Sequence, residues 1–477
     1  MSRRALRVSN PKSSFWLRCV PPFRSALNRM PARSRPALFY ETFYNIGSGS
    51  FLALFGLSLA TLKSDQIFSP AGSKEHLMFI AAMFGGSSLL SPLVGYLGKQ
   101  VPMRLLIIYP SLVAAALLFA TGAFSGATFF ALVIGAGYVI QVFPRVAEMN
   151  MFRVLYPATH RGAAVGWVKA VAGASALLAT VLGTLWFLWW PSQYFWVYWA
   201  VGIALGLSAF SYARIPVHKR RNAFQDSTAA APHRAFVVGV RAFLSDRRFV
   251  FYQIGFWFAG FANHMSHAYV AESLKQDVRA SDWTVFWIVA VVPALLTSGS
   301  APVWGRLLDR INPMSGRALF NSIQCVAYGF HCIGGMSGKA WPFVVGSIVH
   351  AIGNGGGTIN WLTGSLYFAK QDQVSLYNSI HVALTGLRGM LAPMFGVWVY
   401  GATLSLGPLE LPGLGLGPLL FAGSAVLSLC GALYMLWMTN FFDCGPAEET
   451  PAVNADASRE LPVESQDEHP QTAARGA

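Results

Sequence analysis

The chain has 477 residues, 54% hydrophobic and only 12% charged, against about 25% charged in an ordinary soluble domain. No single soluble core hides so many long apolar runs, so the composition excludes a soluble globular protein and describes a polytopic membrane protein. The net charge of +15 does not read as nucleic-acid binding, because the basic residues gather in particular segments between apolar runs, as topology signals do.

In chain order, residues 1–38 are Arg- and Ser-rich, and no acid precedes Glu41. They read as a basic cytoplasmic tail, as an unused stretch ahead of a start at Met30, or as an organellar transit peptide. A helix needs about 20 apolar residues to cross a bilayer. That ruler predicts six spans near 39–62, 77–97, 104–122, 127–150, 162–185 and 195–213. A polar, basic linker, 214–248, follows, with His218, Lys219, Arg220 and Arg221 at its start. Six more spans are predicted near 249–273, 284–304, 318–336, 341–366, 377–402 and 416–440, ahead of an acidic tail, 441–477. The expected architecture is all-α: twelve transmembrane helices in two six-helix halves, 39–213 and 249–440.

Orientation follows from the short loops. Lys99–Arg104, Arg153–Arg161, the linker and Arg306–Arg317 are basic and fall on one side, whereas the loops near 123–126, 186–194 and 403–415 have no Lys or Arg. By the positive-inside rule both termini are cytoplasmic, in the plasma (inner) membrane. The five cysteines form no CxxC pair and no His-Cys cluster, so neither a metal site nor another cofactor is expected.

Two distant stretches repeat one pattern. Pro92, Gly95, Leu97, Pro102 and Met103 are echoed by Pro302, Gly305, Leu307, Pro313 and Met314, each after the second span of its half. Duplicated membrane chains of this kind are commonly transporters. With the two halves and the linker, this loop resembles that of the major facilitator superfamily over about residues 39–440, whose pattern runs in outline Gly-x-Leu-x-Asp-Arg-x-Gly-Arg-Arg. Gly305, Leu307, Asp309 and Arg310 match it; in the first half Gly95, Leu97 and Arg104 match, but Lys99 stands where the family has its acid. The resemblance implies a cytoplasmic gate of Gly95, Arg104, Gly305, Asp309 and Arg310, in which the acid favours a neighbouring helix end. With Lys99 in the first copy, the gate is expected to rest on Asp309. Tyr156-Pro157 to Arg161-Gly162 is similar to the family's Arg-Gly motif between the fourth and fifth helices, and reads equally as a tight turn. The Gly-Pro motif of many proton-linked drug exporters is absent from the fifth span.

Polar residues inside a span carry a functional reading by default, because burying them is costly. Arg388, near the middle of the eleventh span, suits a carboxylate or phosphate on a solute, or is tied to backbone carbonyls. Asn263 and His264, with His267, lie on the seventh span; they read as hydrogen-bonding or proton-sensitive groups, or as packing. The run Gly353-Asn354-Gly355-Gly356-Gly357 is expected to interrupt the tenth helix as a hinge or close-packing site, with Asn354 as a solute contact. In the first half, Tyr44 and Asn45 are further solute contacts, and Glu41, Arg145 and Glu148 form a coupling or ion-pair group. Arg145 and Glu148, three apart, are expected to pair on one face. Tyr44, Trp257 and Trp361 add aromatic surface or packing.

No Ser-His-Asp set, carboxylate pair or nucleotide loop is present, so the chain does not read as an enzyme. The sequence reads as a secondary active transporter of a small organic solute, anionic or zwitterionic, working by alternating access. Its partners are that solute, a coupling proton or other ion, and membrane lipid. The other readings are a non-transporting receptor or regulatory protein of the same fold, which the substituted Lys99 permits, and a membrane-embedded lipid enzyme.

Overall fold

The computed structural model describes residues 21–64, 67–68, 74–123, 126–216, 240–241, 243–369, 373–401, 403–406 and 409–441. Most of the linker, all of the acidic tail beyond 441 and the Lys99 side chain lie outside the described residues.

Among the described residues, twelve long helical rods follow a short helix, Pro21–Arg29. The first half comprises α1 (Arg35–Lys63), α2 (Lys74–Gly86, a tight turn Ser87–Leu90, then Ser91–Gln100), α3 (Leu105–Ala120), α4 (Ala127–Ile140 and Val142–Leu155), α5 (Ala158–Trp189) and α6 (Phe195–Tyr212). The second comprises α7 (Arg247–Gln276), α8 (Asp282–Phe286, a wide turn Trp287–Val291, then Val292–Leu308) and α9 (Pro313–Ser337). It continues through α10 (Ala340–Thr363, tightening over Gly364–Tyr367), α11 (Val374–Tyr400) and α12 (Leu419–Phe441). Each predicted span has its rod. A two-stranded hairpin, Leu404–Leu406 with Leu409–Leu411, was not anticipated between the last two.

Three rods break beside a proline. Pro92 follows the tight turn in α2, Pro144 follows the joint at Gln141 in α4, and Pro293 follows the wide turn in α8. Proline has no N–H and crowds the preceding turn, so the backbone bonds there are redrawn. Among the described residues, eight helices are long and apolar enough to cross a membrane on hydropathy alone. Among the rest, α7 and α9 carry the buried polar residues described below. Leu178, Leu188, Leu207, Val303, Met336 and Val426 are each 60% or more exposed, the apolar outer belt that lipid requires.

The helix ends that carry the linker define one side of the bundle, called here the linker side. There a single apolar cluster crosses between the halves, joining Val94, Val146 and Ala164 to Ala301, Ile359 and Val382. Towards the opposite side the clusters stay within one half: Phe51, Phe130 and Tyr198 in the first, and Val270, Phe343 and Phe421 in the second.

The tenth helix is not interrupted. It runs unbroken through its glycines, because they face close neighbours. A Cβ at Gly353 would lie 2.7 Å from Ile323 Cγ2, one at Gly355 would lie 2.8 Å from Thr297 O, and one at Gly356 would strike the Phe320 ring. Contact with α8 and α9 there offsets the helix cost of glycine, about 1 kcal/mol each.

Candidate functional site

The seam between the halves is sealed by hydrogen bonds on the linker side. Asp309, just past α8, accepts from Gly162 N at 2.6 Å and Ala163 N at 2.9 Å, near the start of α5. A carboxylate near a helix start is favoured by the helix dipole there. Gly305 and Gly162 let the two backbones meet, since a Cβ on either would strike the carbonyl oxygen of the other. Arg310 is exposed just past α8, and Arg104 is half-buried immediately before α3.

The first-half copy of the loop meets α11 in the corresponding way. A Cβ at Gly95 would lie 2.7 Å from Ser379 Oγ, and Ser91 Oγ donates to Ser379 O at 2.6 Å. The position of the missing acid is Lys99, and α4 supplies other links. Asn150 donates to Ser375 Oγ at 3.3 Å and accepts from Asn378 Nδ2 at 2.6 Å. Arg153 donates to Ala369 O at 2.7 Å and Leu366 O at 3.4 Å, at the end of α10. The two copies use opposite charges at opposite helix poles: an acid at the start of α5, a guanidinium at the end of α10.

Inside the first half, Arg145 does not pair with Glu148, contrary to the spacing expectation. Arg145 Nη1 donates to Ser88 Oγ on α2 at 3.3 Å, while Glu148 forms its ion pair with Lys169 of α5 at 2.9 Å. The two side chains of α4 reach different neighbours, and a cation on α5 fills the face opposite Glu148. Lys169 Nζ also donates to Asn45 Oδ1 at 3.1 Å, and Asn45 Nδ2 donates to Glu148 Oε1 at 3.0 Å. Glu41 is fully buried; Tyr156 OH donates to its Oε2, and its Oε1 has no partner. Tyr44 packs edge-on against Tyr212 of α6, with ring centroids 4.9 Å apart.

In the second half, Arg388 is buried, and its Nη1 donates to Phe256 O on α7 at 3.0 Å. Gly260 provides the room, since a Cβ there would strike the guanidinium. Arg317 of α9 is buried beside the same ring: its guanidinium carbon lies 3.8 Å from the Phe256 centroid, against 5.4 Å for that of Arg388. Gln253 Oε1 accepts from His381 Nδ1 at 3.0 Å one turn away on α7.

Asn263 lies further from the linker side, and its Oδ1 sits 3.0 Å from both Tyr328 OH and His350 Nε2. His267 stacks on His350 with centroids 6.2 Å apart. With His331 they line a cavity of about 20 Å³, room for roughly one water. His264 instead lies near Gly389 of α11. Asn354 is half-buried and makes no hydrogen bond among the described residues.

Sequence reasoning missed Lys169, Arg317, His331 and His350 as site residues. Lys169 had a signal, a lone cation inside an apolar run. Hydropathy starts the ninth span at 318 and leaves Arg317 in the loop; Asn312 caps the helix through Met314 N at 2.8 Å, and Pro313 starts it five residues earlier.

Two helical halves with a duplicated glycine loop at their seam define a multi-pass membrane protein of the carrier type. The profile of the Major Facilitator Superfamily matches residues 42–393, and the chain belongs to that family. Solved structures share its fold at low identity. The E. coli fucose:proton symporter FucP aligns at a TM-score of 0.63 and 12% identity, over 88% of this chain and 98% of its own. FucP in the outward conformation gives 0.66 and 13% over 84% and 98%. The proton:xylose symporter XylE gives 0.63 and 13% over 88% and 99%. No curated protein matches in sequence.

Proposed function

We propose that the protein is a secondary active transporter of a small organic anion or zwitterion, working by alternating access. The observation that carries this reading is the one-sided seam: hydrogen bonds and a shared apolar cluster join the halves at the linker side, while the clusters of the opposite side stay within one half. A carrier stopped with one entrance closed has this arrangement. We read the linker side, and both termini, as cytoplasmic from the basic loops, and the membrane as the plasma (inner) membrane. The closed state is then the outward-facing one.

Arg388 is the anchor for the anionic group of the solute. Glu41, buried with one oxygen free, and the Asn45–Glu148–Lys169 set are the proton-coupling groups, each able to exchange a proton or a charge partner when the halves separate. Proton coupling also fits the structural neighbours, which carry sugars with protons. The test is thermal stability of the purified protein across anionic, zwitterionic, cationic and neutral solutes. A bound solute at about 100 times its Kd stabilises by about 2.7 kcal/mol. An anion or zwitterion whose effect disappears in Arg388→Gln supports the reading; stabilisation by cations alone contradicts it.

A further inference from the structure

We infer that Arg317 and Arg388 together form a site for a dianion that also carries a hydroxyl group. This rests on the carrier reading and names its solute class. Both arginines are only 5% exposed, both guanidiniums lie against the Phe256 ring, and the Nε atom of each has no partner. Like charges in a low-dielectric interior repel, and a buried charge needs a compensating one. The second half offers none. Its carboxylates Glu272, Asp277, Asp282, Asp309, Asp372 and Glu410 all fall at helix ends or between helices in the sequence. The Phe256 ring eases the cost by a cation–π contact without supplying a negative charge.

The unpartnered atoms around the pair specify the rest of the ligand. Gln253 Nε2 is a free donor, as are both Arg Nε atoms. Because Gln253 Oε1 accepts from His381 Nδ1, the other ring nitrogen, Nε2, is a bare acceptor, and it too has no partner. Three donors and two positive charges call for anionic oxygens, and the lone acceptor calls for one O–H. Gly357 of α10 faces the pair: a Cβ there would meet only Arg317 Nη1, at 3.7 Å. A hydroxydicarboxylate and a phosphate monoester of a polyol both meet these terms.

The experiment measures Kd by thermal shift on the full-length protein for malate, succinate, lactate, glycerol 3-phosphate, sulfate and xylose. Malate or glycerol 3-phosphate is expected to bind at least tenfold more tightly than succinate, sulfate and lactate, and which of the two wins separates the carboxylate from the phosphate source. Arg317→Gln is expected to erase the preference of malate over lactate. Arg317→Lys, which retains the charge, keeps the preference at weaker affinity, and guards against a variant that fails to fold. Equal affinity for malate and lactate, or an unchanged preference in Arg317→Gln, overturns the inference. Xylose binding while every anion fails also overturns it, together with the anionic solute class, but leaves alternating access standing; alternating access falls instead if the two halves never move apart on the linker side.

Discussion

Lys169 of α5 and Glu148 of α4 form a buried ion pair at 2.9 Å, with side-chain exposures of 19% and 6%. Asn45 bonds both partners, so helices α1, α4 and α5 meet at one charge. Removing one member of such a pair strands the other, typically at a cost of about 3–5 kcal/mol. Lys169→Met is therefore expected to lower the unfolding free energy by about that much. Adding Glu148→Gln should recover most of the loss. A double variant as unstable as the single one contradicts the pairing.

Asp309 uses both carboxylate oxygens, one for Gly162 N and one for Ala163 N. Asn has a single acceptor, so Asp309→Asn turns an NH2 group towards a backbone donor. Losing a bond to a charged group costs about 1.5–3 kcal/mol, which shifts the open–closed balance by roughly tenfold or more. The measurement is the labelling rate of a cysteine placed at Ala163, expected to rise by about that factor. An unchanged rate contradicts the gate.

The same logic applies to Arg153, which joins α4 to the end of α10 through two carbonyl oxygens. Arg153→Leu should speed labelling of a cysteine at Ser375 by a similar factor. Combined with Asp309→Asn, the effects should add, because the contacts share no partner. Sub-additive behaviour would show that one link already controls the whole seam.

Glycines differ sharply in what they face. Gly162→Val and Gly305→Val place a side chain into the opposite backbone, and overpacking of this kind costs about 1–3 kcal/mol. Gly329, in α9, has nothing within 4 Å of where a Cβ would stand. Gly329→Ala should raise stability by up to about 1 kcal/mol from helix propensity alone. Thermal unfolding of the three variants checks the ordering.

The fold was legible because the bilayer imposes one simple rule, about 20 apolar residues per crossing, and the duplicated loop fixed the pairing of the halves. The glycine loop and Asp309 stood out through their match to the family pattern, and the structure places Asp309 against Gly162 and Ala163. The charged contacts inside the halves were not legible. Three-residue spacing suggested Arg145 with Glu148, but spacing constrains only one helix, and Lys169 comes from another. Arg317 is hidden because a basic residue beside an apolar run resembles a loop signal, whereas Asn312 and Pro313 start the helix ahead of it. The glycine run in α10 read as a break because helix propensity ignores what packs against the backbone.

The central claim, that the linker-side seam opens and closes, is tested most directly by a spin-label distance. Labels at Thr159→Cys and Arg306→Cys, both exposed on the linker side of α5 and α8, are introduced in a cysteine-free background reconstituted in lipid. Two distance populations are expected, with the longer one enriched by Asp309→Asn. A single distance that neither solutes nor Asp309→Asn alters would contradict alternating access and leave the chain a static member of its fold.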